Sequence, residues 1–247
     1  MKPSRWFLIA VVKCTAAFLL YAELPIPSFI LGKVEVIDTE KSNQNSVRLL
    51  NIPEIIKAED WICTGVNSRT ELKHKSAVTY RLGSMSVVSF QSFNNFRLHT
   101  GSFLFCTNKK GLEFKISSAN AEATFRGSGT IILETTSNGG FKFIPVEARG
   151  VLISDKGGFQ KVESGRMILV LGKPSYFGDA YDCDLMLIIK SSNLLNSFPE
   201  PLPTFGRISL AIYSQQLRLK GKFEALIGDA TTNDNLQVWT FGEPKAE

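Results

Sequence analysis

The sequence predicts a mainly β protein: a layered β-sandwich or β-roll, or a short β-helix-like core, followed by two C-terminal α-helices. Three observations carry this. First, two stretches read nearly alike, Tyr80-Arg81-Leu82-Gly83-Ser84-Met85-Ser86-Val87-Val88 and Phe125-Arg126-Gly127-Ser128-Gly129-Thr130-Ile131-Ile132. Each is followed by an aromatic-basic-apolar segment, Phe96-Arg97-Leu98 or Phe141-Lys142-Phe143, and then by a glycine, Gly101 or Gly150, that opens another apolar segment. A repeat of that size implies stacked units of one β architecture, each too small to bury its own apolar face. Second, Lys33-Val34-Glu35-Val36-Ile37 and Leu112-Glu113-Phe114-Lys115-Ile116 alternate with period two, which gives each strand one wet and one dry face. Third, glycines and other turn formers break the stretch from Lys33 to Leu171 at short intervals, the spacing of strands rather than helices.

The elements follow in chain order. Lys2 and Arg5 precede the apolar runs Trp6 to Val12 and Cys14 to Leu20, and Leu20-Tyr21-Ala22 offers a cleavage site before Glu23, so residues 1–22 read as a signal peptide. Lys13 interrupts the apolar run, and the alternative is an uncleaved signal anchor continuing through Pro25 to Leu31. Lys13 also stands where a lipobox needs a small residue before Cys14, which argues against a lipoprotein. Residues 32–172 form the β domain, in which Asp60 to Gly65 reads as a buried strand ending in a turn. Gly83, Gly101, Gly127, Gly150 and Gly165 are its structural turn glycines. Residues 173–247 form a helical extension and tail. Asp182 or Asp184 caps a first helix with the stripe Leu185, Ile188, Ile189, Ser192 and Leu195, and Pro199, Pro201 and Pro203 end it. Ile208, Ala211, Ile212, Gln215 and Leu219 mark a second, closed by Gly221, and Leu236, Val238, Trp239 and Phe241 offer one edge strand in the tail.

Composition narrows the function. The 247-residue chain carries a formal charge of +5, but residues 1–22 hold three cations and no acid, so the remainder is near +2. That balance lacks the basic footprint of a nucleic-acid binder. Beyond Cys14, three cysteines remain, Cys63, Cys106 and Cys183, an odd count with no zinc spacing; they are inert core thiols, or Cys63 and Cys106 form a bridge. His74, between Lys73 and Lys75, reads as a solvated residue and His99 as a half-buried strand residue, and neither has a ligand or carboxylate at metal-site spacing. Gly127-Ser128-Gly129 lacks the glycine two residues either side of the serine that a nucleophile elbow requires. Asp182-Cys183-Asp184 reads as helix capping rather than a cation site, and Asp229, Asn233 and Asp234 as a solvated turn without the order of a calcium loop. The eighteen Phe and three Trp mostly alternate with polar residues, as core does, with a sugar-stacking platform as the alternative and Trp239 the aromatic that lies beyond the core.

Several passages resemble one family in collinear order. Glu59 to Leu72 is similar to the set-point, threshold and Ser-Arg-Ala-Glu-Leu passage of FecR-domain proteins. Arg81-Leu82-Gly83 through Phe90 and Leu98 to Leu104 resemble its Arg-Leu-Gly and Gly-Ser-x-Leu stretches. Ala121 to Thr130, Phe143 to Gly150 and Gly165 to Val170 continue the match. The resemblance is to the stand-alone exported form of verrucomicrobial and related bacteria, where Asp182 to Leu185 and Ser192 to Leu195 also have counterparts, and it spans Gly32 to Lys222. Departures at Arg126 to Thr130, Glu147 to Gly150 and Gly165-Arg166 keep the glycines and change their exposed neighbours. Classical members hold a sigma factor through a cytoplasmic N-terminal region, and Met1 to Arg5 are too few for that, so anti-sigma activity is not carried over.

Together these readings give a non-enzymatic exported protein of the periplasm or cell envelope, without cofactor, metal or catalytic residue, acting by binding or assembly with an envelope protein or polysaccharide through strand edges and loops. It would touch membrane only through an uncleaved N-terminal segment. Two other classes stand beside it: a membrane-anchored signal-relay component without its own anti-sigma region, and a glycan-acting enzyme, which needs two carboxylates converging in one cleft.

Overall fold

A computed structural model describes residues 24–39 and 46–220. The segment 1–22 that reads as a signal peptide, the Gly221 expected to close the second helix, the turn expected from Asp229 to Asp234 and the edge strand expected near Trp239 lie outside the described residues. The chain runs through β1 (Ile26–Leu31), β2 (Val34–Asp38), β3 (Ser46–Leu49), β4 (Trp61–Thr64), β5 (Arg69–His74), β6 (Val78–Leu82), β7 (Val87–Ser92) and β8 (Asn95–Thr100). It continues through β9 (Ser102–Thr107), β10 (Glu113–Ser117), β11 (Glu122–Thr135), β12 (Phe141–Ser154), β13 (Gly158–Val162), β14 (Arg166–Leu171) and β15 (Tyr176–Asp182). Helices α1 (Leu185–Ser191), α2 (Asn193–Asn196) and α3 (Phe205–Leu219) follow. The protein is therefore mainly β, a single curled mixed sheet with helices near its C-terminus. Ile26–Leu31, through which the sequence allows an anchor to continue, pairs with β5 as a strand of the sheet.

The sheet folds on itself along its longest hairpin. The first part of β11 pairs with β10 through Glu122 to Arg126, and its second part with β9 through Gly129 to Glu134. Its partner β12 likewise pairs with β14 near Phe141 to Phe143 and with β13 from Gly150 to Ser154. Two half-sheets result. One holds β1, β5, β6, β9, β14 and β15 with half of the hairpin; the other holds β2, β3, β4, β7, β8, β10 and β13 with the other half. Their dry faces meet in an aromatic core. Tyr80 and Phe103 from the first half meet Phe90 and Phe96 from the second, with ring centroids 5.0 to 6.2 Å apart, and Phe105 packs on Phe114 at 4.9 Å. All six rings are at most 1 % exposed.

Each of Gly83, Gly101, Gly127, Gly150 and Gly165 stands where the chain passes between halves. Gly83 separates β6 from β7, Gly101 separates β8 from β9, and Gly165 separates β13 from β14. Gly127 and Gly150 are not at turns; they are paired partners inside β11 and β12, where the hairpin bends from one half to the other. The repeat thus records one manoeuvre made twice, with the strands broken at the corner the first time and continuous the second. Side-chain hydroxyls clip the first line of corners together. Ser68 Oγ accepts from the Lys33 amide (2.8 Å), Thr64 Oγ1 donates to the Gly83 carbonyl (2.5 Å), and Ser86 Oγ donates to the Ser102 carbonyl (3.0 Å) and accepts from its amide (2.9 Å). Gly101, at φ 82°, leaves no space for a side chain because the Met85 carbonyl and Ser86 crowd it.

The helices roof the outer face of the first half-sheet. Leu104, Cys106, Ile132, Ile144, Val146 and Met167 point outward from it and pack beneath Leu185, Ile188, Leu194 and Ile208. Asp184 caps α1 by accepting from the Leu187 amide (3.1 Å). The single helix expected from Leu185 to Leu195 is instead two, because Ser192 is extended (φ −77°, ψ 114°) and ends α1 before starting α2; three helices replace the two expected. Helix α3 buries Ile208 and Gln215 as its periodicity indicates and closes on Lys220 in the left-handed region, φ 48°. Gln215, 3 % exposed, ties roof to sheet: Oε1 accepts from the Leu185 amide (3.1 Å) and Nε2 donates to the carbonyls of Cys183 (2.6 Å) and Gly165 (3.3 Å). Gln215→Leu strips the Leu185 amide and the Cys183 carbonyl of this partner, while the Gly165 carbonyl keeps the Cys183 amide, and is expected to lower stability by about 2 kcal/mol, read as a lower urea midpoint at unchanged slope.

Candidate functional site

Among the described residues nothing roofs the second half-sheet. Its strands alternate as half-solvated strands do: Val88, Phe90, Phe96, Leu98, Phe114, Ile116 and Phe125 face the core, while Ser89, Gln91, Asn95, Arg97, Lys115, Ser117 and Thr124 face outward. Register brings the outward residues into rows. Trp61 pairs with Ser89, Ser89 with Arg97 and Arg97 with Ser117; Asn95 pairs with Lys115, Lys115 with Thr124, Thr124 with Ile153 and Ile153 with Phe159. The face is concave at its middle, forming an open trough of about 480 Å³ whose floor includes Ser89, Asn95, Arg97, Lys115, Ser117 and Thr124 and whose borders include Glu59, Glu122 and Asp155. From Trp61 to Phe159 it crosses six strand spacings, roughly 29 Å.

The parallel pairing of β8 with β10 sets the electrostatics. It places Arg97 and Lys115 on one face as diagonal neighbours, Arg97 opposite Ser117 and Lys115 opposite Asn95. Diagonal neighbours lie about 7–8 Å apart, close enough for like charges to repel. Neither cation is ion-paired among the described residues, and neither are Glu59, Glu122 and Asp155. Backbone groups of these strands are consumed in the ladder, so recognition on this face falls to side chains.

Trp61, 38 % exposed, is not part of the trough lining but lies beside it, cross-strand from the lining residue Ser89. The sequence reading placed it in a buried strand; instead Ile62 takes the dry side and Trp61 the wet one. His99 props it, ring centroids 4.5 Å apart at 38°. It can do so because β8 bulges there: Leu98 pairs with Val88 and Thr100 with Val87, leaving His99 as the extra residue. Its Nε2 lies 2.9 Å from Ser89 Oγ. Burial, helped by Arg97, lowers the His99 pKa from 6.5 to about 4, so the ring is neutral at pH 7. A folded pKa below the unfolded one means stability that is fully present above about pH 6.5 and is lost as pH falls through 4. Urea midpoints are therefore expected to fall between pH 6.5 and 4, and His99→Gln is expected to flatten that part of the profile. The Ser89–His99 pair does not extend to a hydrolytic triad, since no carboxylate is hydrogen-bonded to His99 among the described residues.

The other chemically capable groups serve structure. His74 is buried, not solvated: it shares the dry side of β5 with Leu72 and stacks on Phe93 at 4.3 Å and 6°. Cys63, Cys106 and Cys183 are free thiols, which removes the Cys63–Cys106 bridge; burial raises the pKa of each, that of Cys183 to about 12. Asp182 pairs with Arg218 (2.8 Å), while Asp184 caps α1, and among the described residues no three His, Cys, Asp or Glu gather as a metal site. Beneath the roof, Glu71–Arg81 (2.8 Å) and Glu134–Lys142 (3.1 Å) are buried ion pairs between neighbouring strands.

Two features were missed in the sequence. The pairing of Arg97 with Lys115 depends on β10 joining β8 across an intervening strand, which leaves no local signal. The exposed stripe Leu210, Tyr213 and Leu217 on α3, 60 to 66 % exposed, was legible as i, i+3, i+7 spacing opposite the buried face. It is a second candidate surface, flat where the trough is concave. Fold and face together define a three-layer β/β/α protein, among its described residues roofed by helices on one side and presenting an open, mixed-charge face on the other. No family model, no curated protein and no solved structure matches the chain.

Proposed function

We propose that the chain is an exported, non-enzymatic binding protein of the cell envelope with a FecR-like β domain, acting through the outer face of its second half-sheet. The observation that carries the reading is that face: a trough with two adjacent cations and border carboxylates that form no ion pairs among the described residues, and an aromatic held beside it. Protein stability alone gives no reason to place like charges diagonally without counter-charges. The FecR-like assignment is supported by the collinear motifs, whose Gly, Ser and Thr residues form the corners between half-sheets. The non-enzymatic reading is supported by the buried titratable groups, which are tied into ion pairs and caps beneath the helices. This face replaces the strand edges and loops as the expected contact surface.

The test is fractionation of producing cells with intact mass of the recovered chain, alongside native sizing of envelope extracts. The chain is expected in the envelope or periplasm and in a complex larger than the monomer, and Arg97→Glu with Lys115→Glu is expected to release the monomer. Recovery from the cytoplasm, or a complex indifferent to the double charge reversal, contradicts the proposal.

A further inference from the structure

We infer that the trough binds a linear glycan whose sugars carry carboxylate groups, with one ring laid against Trp61 and an acid group on the Arg97 and Lys115 pair. The inference rests on the proposed binding role of this face and names its ligand class. Three observations lead to it. A face whose backbone is fully used by the sheet recognises ligands through side chains, and hydroxyl, amide and charged groups at fixed strand spacing suit a polymer rich in hydroxyls. Trp61 is exposed but immobilised by His99, which lowers the entropy lost when an apolar ring face stacks on it. Arg97 and Lys115 lie side by side and neither is ion-paired among the described residues, so an anionic group arriving between them relieves their repulsion.

The borders sharpen the class. Glu59, Glu122 and Asp155 can accept hydrogen bonds from the hydroxyls that every unit of a glycan carries. A DNA strand is anionic at every unit, as a polyuronate is, but lacks those hydroxyls, so the border carboxylates favour the sugar polymer. A neutral glycan would satisfy Trp61 and the hydroxyls but leave the cations uncompensated.

The experiment is calorimetric titration of the full chain, kept in mild detergent, with hexamannuronate, cellohexaose and a single-stranded oligonucleotide. Hexamannuronate is expected to bind at least about tenfold more tightly than cellohexaose, with Trp61→Ala and Arg97→Gln/Lys115→Gln each weakening it by about tenfold or more. Circular dichroism and thermal midpoints of these surface variants are expected to match the parent. Absence of hexamannuronate binding, a preference for the neutral hexamer or the oligonucleotide, or binding unchanged in both variants overturns the inference. Release of the envelope complex by charge reversal is read separately, so a partner of different chemistry would leave the binding role standing while this ligand class fails.

Discussion

Arg81→Met is expected to lower the unfolding free energy by about 4 kcal/mol and to loosen the helical roof before the sandwich melts. Arg81 is fully buried on β6, yet five contacts compensate its charge. Nε donates to Glu71 (2.8 Å), Nη1 to the carbonyls of Leu194 (3.1 Å) and Leu195 (3.3 Å), and Nη2 to that of Glu200 (2.5 Å), while the guanidinium lies 4.3 Å from the Phe198 ring centroid. One side chain therefore satisfies the orphan carbonyls at the end of α2, neutralises a buried carboxylate and holds the proline-rich connector to the sheet. Methionine fills similar volume and removes every donor. Glu71 then keeps Lys73 and Ser28 as partners, which is partial compensation. The double variant Arg81→Met/Glu71→Leu is expected to recover about 1–2 kcal/mol, because it removes the stranded carboxylate but leaves the α2 carbonyls unpaired. Chemical unfolding followed by tyrosine and tryptophan signals reads all three values. A loss under about 1 kcal/mol for Arg81→Met would show that the roof is not anchored there.

Gly129→Ala is the second large expectation, at about 3 kcal/mol or more. The residue has φ 130°, outside the usual range of side-chain-bearing residues, and an added Cβ would overlap the Glu147 carbonyl oxygen and the Ala148 backbone. Both obstacles are main chain of the partner strand, so neither can swing aside. Gly129 sits where β11 leaves one half-sheet for the other, and moving the strands apart there would part the halves. Gly111→Ala supplies the contrast: its φ is 79°, but nothing lies within 4 Å of the added carbon, and a loss of about 1 kcal/mol is expected from backbone strain alone. Thermal and urea unfolding of the two variants separate crowding from conformation, and equal losses would contradict the account of the bend.

Much of this fold is legible residue by residue. Phe114 and Ile116 against Lys115, or Ile208 and Gln215 against Leu210, declare their dry and wet sides through period two and period 3.6. The corner glycines are legible as breaks, but not as bends, because the same residue serves a chain that turns at Gly83 and one that runs on through Gly127. Sequence neighbours mislead where a third element intervenes. His74 between two lysines looks solvated until Phe93 stacks on it, and Trp61 beside Ile62 and Cys63 looks buried until alternation and the absence of a roof expose it. The trough was the least legible feature. Arg97 and Lys115 stand eighteen positions apart, and only the parallel join of β8 to β10 makes them neighbours.

In the proposed function the unroofed face, not the helical side, is the working surface. Photo-crosslinking in intact producing cells tests it directly, with a benzophenone amino acid at Gln91 on the trough border or at Ser209 on the exposed side of α3. Adducts to envelope material from position 91, abolished by Arg97→Glu/Lys115→Glu, with none from position 209, are the predicted result. Adducts from position 209 alone would contradict it.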